Sequence, residues 1–170
     1  FIADPQVTVL ALLSLPLAQL GLFVQARGRL QQAYARAHQI AQPMALMITL
    51  WFDALCGIRC GEVARVATLA GEMRTLVDEF ALAQGQAPCR WFQGWADTQW
   101  GRPHEGARQI RQAYLDNRAL GMISGGSETL GYLAEALMLQ QEWHQAQEQL
   151  DLALALVQRH GERIVLPQLL

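Results

Sequence analysis

The sequence predicts an all-α protein built of antiparallel helix pairs that repeat about every 40 residues. Three observations carry that expectation. Shifted by 40 residues against itself, the chain aligns along its length, with Gly21, Gly61, Gly101 and Gln141 in one column. Around that column small and bulky apolar residues recur at fixed offsets, as they do where helices approach closely. Finally, 52% of residues are apolar and only 16% charged, which is ample material for one extended core.

Each column has a physical reading. The glycine column marks where one helix ends and the next begins, because glycine most readily leaves a helix through a positive φ. Seven positions earlier stand Ser14, Ala54, Gly94 and Ala134, all small. Five positions later come Ala26, Val66, Gly106 and Ala146, and seven beyond those Ala33, Met73, Ala113 and Ala153. Apolar ridges flank them at Leu12, Phe52, Phe92 and Tyr132 and at Leu30, Ala70, Ile110 and Leu150.

The helices follow in order. First helices of the pairs are expected over residues 5–20, 43–59, 83–100 and 123–140, and second helices over 23–41, 62–80, 103–120 and 143–160. Second helices are amphipathic, with Trp143, Ala146, Leu150, Ala153, Leu154 and Val157 at steps of three and four. First helices are apolar on more than one face, as elements between neighbours must be. Pro5, Pro43 and Pro103 suit first-turn positions, and Ser124 or Ser127 can cap the fourth first-helix. Gly85 and Pro88 interrupt the third, which predicts a late start or a kink there. The repeats then span residues 4–42, 43–82, 83–122 and 123–161, with a further helix starting in 162–170, all in a single domain.

Charge and cysteine content narrow the function classes. A formal net charge of −2 and scattered arginines leave no basic footprint, which argues against direct nucleic-acid binding. Three cysteines, Cys56, Cys60 and Cys89, make no even disulfide framework and point to a reducing, cytoplasmic setting. The apolar run from Val7 to Val24 approaches the minimum of about 17 residues for a span, but Thr8, Ser14, Pro16 and Gln19 break it. It reads as a helix covered by other helices, not as a membrane segment, and no basic start marks it as a signal peptide.

Small residues spaced by 12 and then 7 match the tetratricopeptide signature, so the chain resembles that superfamily: a superhelical array of antiparallel pairs. It departs in its longer period and in lacking the proline after the second helix. A narrower resemblance rests on Asp-Pro-Gln-Val at 4–7, Gln-Gly-Trp-Ala at 93–96, Gly-Arg-Pro-His-Glu-Gly at 101–106, Leu-Ala-Glu-Ala-Leu at 133–137 and Gly-Glu-Arg at 161–163. These segments look like the carboxy-terminal helical repeats of large bacterial signalling ATPases, in which an ATPase module is fused to an adenylate cyclase or to a transcriptional DNA-binding domain. Gln141, where that family has glycine, and Gly131, where it has a bulkier residue, depart from the pattern. The resemblance implies a piece of a longer regulator, since residue 1 is Phe and Leu170 falls inside a fifth first-helix. The chain holds no lysine and no phosphate-binding glycine-rich loop, so neither ATP hydrolysis nor cyclase chemistry is placed on these residues.

The functional expectation is therefore a non-catalytic interaction or sensor module, with no cofactor, binding a protein, a peptide or other domains of the parent chain. The alternative is a receptor for a small-molecule inducer, as in maltose-regulator-type proteins. Trp51, Trp91 and Trp95, with Arg59 and Glu135 nearby, are the candidate partner-binding residues on the concave face, since aromatic anchors suit such a groove. The competing reading places those tryptophans in the core. Cys56 and Cys60, four apart on a helix, read as buried thiols before they read as metal ligands. His104 and His144, equivalent in successive repeats, read as solvated first-turn residues before a switch. Apolar residues around Ile164, Val165 and Leu166 predict self-association through an end face.

Overall fold

The computed structural model describes residues 4–122, 125–161 and 169. Among them lie eight α-helices and no strand: α1 (Pro5–Gln19), α2 (Phe23–Ile40), α3 (Pro43–Arg59), α4 (Val63–Phe80), α5 (Gln86–Gln99), α6 (Pro103–Ala119), α7 (Gly126–Leu139) and α8 (Trp143–His160). A single 3-10 turn, Ala83–Gly85, precedes α5. That turn is the late start expected where Gly85 and Pro88 interrupt the pattern, and Pro88 is buried inside the first turns of α5.

Helix boundaries follow local chemistry. Pro5, Pro43 and Pro103 open their helices, where a missing N–H costs nothing. Asp4 caps α1 by accepting the Val7 N–H at 3.0 Å. At the other ends the turn column takes left-handed backbone: φ is 75° at Gly21, 67° at Gly61, 77° at Gly101 and 64° at Gln141. In all four turns the next amide reaches back five residues, Leu22 to Leu17, Glu62 to Gly57, Arg102 to Asp97 and Glu142 to Leu137, at 2.9–3.0 Å. This is the Schellman closure, which satisfies carbonyls that the helix end leaves open. A second left-handed column, Ala41, Ala81, Gly121 and Gly161, ends α2, α4, α6 and α8.

The chain divides into two compact units, Phe1–Gly85 and Gln86–Leu170. In the first, α1 pairs with α2 and α3 with α4, while α3 also packs on α1 and α2. In the second, α5 pairs with α6 and α7 with α8, and α7 packs on α6. The small-residue columns are buried throughout: Ser14, Ala54 and Ala134 are fully enclosed, as are Ala33, Met73, Ala113 and Ala153. Their smallness has a measurable reason in the second unit, where a Cβ added at Gly94 would sit 2.9 Å from the Gly106 carbonyl oxygen. Only glycine lets α5 and α6 meet backbone to backbone there.

Some expectations are corrected. Trp143 belongs to the apolar stripe of α8 by spacing, yet it is 62% exposed, because it is the first residue of its helix and overhangs the packed face. The fourth first-helix begins at Gly126 behind Gly125 in left-handed backbone, and Ser127 is a buried residue within it, not its cap. Ser124, Ile164, Val165 and Leu166 lie outside the described residues, and of the further helix expected over 162–170 only Leu169 is described. No helix among the described residues is long and apolar enough to cross a membrane.

Candidate functional site

The chemistry of the first unit converges on Asp53. It is the only charge in α3 before Arg59, and its side chain is fully buried. A lone carboxylate in such a place must be paired, since an uncompensated buried charge costs several kcal/mol. Three donors meet it. Arg27 Nη1 and Tyr34 Oη come from α2, the latter at 3.0 Å, and Arg65 reaches it from α4 through Nε and Nη2. Two helices are thereby pinned to α3 through one carboxylate. Arg27 also donates through Nη2 to Glu62, at the start of α4. Burial, then the charge and hydrogen bond of Asp53, push the Tyr34 phenol well above its usual range.

Beside this cluster the first unit opens a cleft of about 330 Å³. Ala18, Ala26 and Cys56, all buried, line its inner part; Phe23, Arg27, Arg59, Cys60 and Glu62, each more exposed, line the mouth. The Cys56 thiol donates to Ser14 Oγ at 3.3 Å, and Ser14 Oγ donates to the Ala11 carbonyl at 2.6 Å. Burial raises the pKa of both Cys56 and Cys60, so each stays a thiol at neutral pH and neither is activated as a nucleophile. Among the described residues no group of three His, Cys, Asp or Glu side chains comes together in a way that would hold a metal ion.

The second unit carries a related but weaker arrangement. Asp97 near the end of α5 is nearly buried and accepts from Arg102, from Gln93 Nε2 at 3.1 Å and from Gln109 Nε2 at 2.7 Å. A concavity of about 270 Å³ lies among α6, α7 and α8, with His104, Arg108, Arg111 and Glu142 on its polar side and Leu115 and Leu137 on its apolar side. His144 is exposed and stands 3.5 Å from Glu148.

The candidate partner-binding residues divide between the units. Trp51 and Arg59 belong to α3. Trp51 is half-buried, stacked on Phe52 at 5.9 Å between ring centres, and Arg59 stands at the mouth of the cleft. Trp91 and Trp95 are brought together on α5 around Tyr132 of α7, with centroids 6.3 and 6.4 Å away. They are 4% and 5% exposed, so their rings pack inside the protein and present no face to a partner. Glu135 on α7 is partly exposed and accepts from Gln99 Nε2 at 2.8 Å. The indole N–H groups of Trp51 and Trp91, equivalent in the repeat, are both buried without an acceptor among the described residues.

The residues that organise the first unit's polar chemistry, Asp53, Arg27, Tyr34 and Arg65, were not among the sequence-derived candidates. A signal existed: an isolated acid in the middle of a helix whose only other charge is Arg59 at its end. Compared with protein-family models and with curated proteins, the chain matches none.

Proposed function

We propose that this chain is a tetratricopeptide-like repeat module of a bacterial signalling or transcriptional regulator, and that it works without catalysis, by holding a protein partner or another segment of its own regulator. The observation that carries the reading is the regularity of its turns. Left-handed residues at 21, 41, 61, 81, 101, 121, 141 and 161 allot twenty positions to each helix with its turn, the spacing of a repeating helical hairpin. Arrays of that kind act as extended scaffolds whose stacked first helices offer a continuous surface. Arg59 on α3 of the first unit and Glu135 on α7 of the second are the candidate residues with accessible charge. The buried Trp91 and Trp95 pack within the second unit, as side chains do in a repeat core.

The test joins the chain to its genetic context. Segments of the reading frame that contains this sequence are expressed separately and mixed with it, and co-elution on size-exclusion chromatography is measured. An ATPase or output segment should co-elute, and Arg59→Ala or Glu135→Ala should weaken the complex while leaving the thermal midpoint in place. A reading frame without such segments, or segments that elute apart from the chain, would remove the reading.

A further inference from the structure

We propose that the cleft of the first unit is a binding site for a small organic carboxylate with a short apolar body, and that Glu62 occupies the place of its carboxylate when the cleft is empty. The inference rests on the cleft's own side chains and stands whether or not the repeat reading holds. Size comes first. A cavity of about 330 Å³ falls at the lower end of small-molecule sites. At ~30 Å³ each, the share of a water molecule in the liquid, it has room for about ten non-hydrogen atoms.

The walls set the chemistry. Ala18, Ala26 and Cys56 give a small, neutral inner surface that suits an apolar body and has little to offer a polar one. Phe23, 46% exposed, stands at the mouth with its ring available to cover such a body. Two guanidinium groups share that mouth. Arg27 is fixed from behind by the buried Asp53, so its planar fork is already positioned and little rotamer freedom remains to be lost on binding. Arg59, the last residue of α3, lines the same mouth. A positioned guanidinium above an apolar recess matches a carboxylate head on an apolar body.

Glu62 explains the empty state. Its carboxylate accepts from Arg27 Nη2, on the side of the guanidinium that Asp53 leaves to the cleft. Glu62 is 40% exposed and is the N-cap residue of α4 with no capping hydrogen bond from its side chain; Arg65 Nε stands 3.8 Å from its carboxylate, so Glu62 keeps an ion partner when it releases Arg27. An incoming carboxylate would replace it on Arg27, and the like charges would push Glu62 away from the mouth. Removing the Glu62 charge should therefore strengthen binding, an outcome that a purely structural Arg27–Glu62 pair does not give.

Isothermal titration calorimetry on the whole chain tests this with a series of carboxylates from acetate to phenylacetate, with phenylacetamide and inorganic phosphate as controls. Binding should tighten along the series, and phenylacetamide and phosphate should bind far more weakly than phenylacetate. Glu62→Gln should tighten phenylacetate binding by about tenfold and Arg59→Gln should weaken it by about tenfold, the size of one charge-assisted hydrogen bond. Circular dichroism confirms that both variants fold. No heat from any carboxylate, phosphate binding as tightly as phenylacetate, or an affinity unchanged in folded Glu62→Gln would each overturn the proposal.

Discussion

Gln141 is the one non-glycine residue in a turn column that otherwise holds Gly21, Gly61 and Gly101, and replacing it with glycine should stabilise the protein. Its φ is 64°, and its turn carries the same pair of closing hydrogen bonds as the other three, 2.9 Å to Met138 and 3.0 Å to Leu137. A side chain in left-handed backbone costs about 1–2 kcal/mol because Cβ crowds the carbonyl. Glycine removes that cost but loses about 0.4–1 kcal/mol to the greater freedom of the unfolded chain. Gln141 is exposed, so little packing is lost. The net gain from Gln141→Gly should be about 0.5–1 kcal/mol, raising the midpoint by about 1–4 °C if the chain unfolds together and about 2–8 °C if the second unit unfolds alone. Gly101→Gln should move it the other way by a similar amount. Far-UV circular dichroism during heating reads both variants. A midpoint that falls for Gln141→Gly, or holds for Gly101→Gln, would refute the argument that the left-handed turn sets the residue preference.

Further outcomes follow from the packing and the ion cluster. Gly106→Ala would place a Cβ against Thr98 Oγ1 and 2.6 Å from the Gly94 carbonyl oxygen, forcing α5 and α6 apart at a cost of about 2–3 kcal/mol; urea unfolding should show it, and Gly71→Ala, with open space around it, should instead gain about 0.5–1 kcal/mol. Asp53→Ala removes the shared acceptor of Arg27, Arg65 and Tyr34 and should cost about 2–4 kcal/mol in the same assay, the lower end if the two half-exposed guanidiniums regain water. Trp91→Ala should cost about 3–5 kcal/mol of folding stability, as for a core aromatic, and an unchanged midpoint would contradict its burial. Because the folded Tyr34 pKa lies above its usual 10.0, its contribution is complete below pH 10 and is lost as pH rises beyond it; stability measured against pH should show an alkaline decline that Tyr34→Phe reduces, with no lysine to obscure it.

The helices were legible because two independent signals agreed. Period and turn residues together placed six of the eight helix starts within a residue; α5 starts three residues after its expected position, at the Gly85 and Pro88 interruption that the sequence marks, and α7 also starts three residues after its own. The misplacement of α7 has a local cause. Residues 121–127, Gly-Met-Ile-Ser-Gly-Gly-Ser, offer two serines as caps and three glycines as turns, and the structure uses Gly125 in left-handed backbone before the helix. Spacing alone cannot choose among such neighbours. Trp143 failed for a related reason: periodicity assigns a face but does not say whether the facing helix extends far enough to cover a first-turn residue.

Polar chemistry was harder to read because it depends on which residues meet across helices, and no single-helix pattern encodes that. Arg27 and Tyr34 are seven apart on α2 and so share a face, while Arg65 lies twelve residues after Asp53 on α4; only the packing of α2 and α4 on α3 brings all three to one carboxylate. Composition still contained a constraint. Between Pro43 and Arg59 the helix has one charge, Asp53, with apolar and small residues on every face. Such a helix cannot turn the acid to water without exposing a similar number of apolar groups, so it must import cations from its neighbours. A search for an isolated acid in an apolar helix, followed by a search for arginines on the two adjoining helices, leads to Arg27 and Arg65, and Arg27 leads in turn to the cleft.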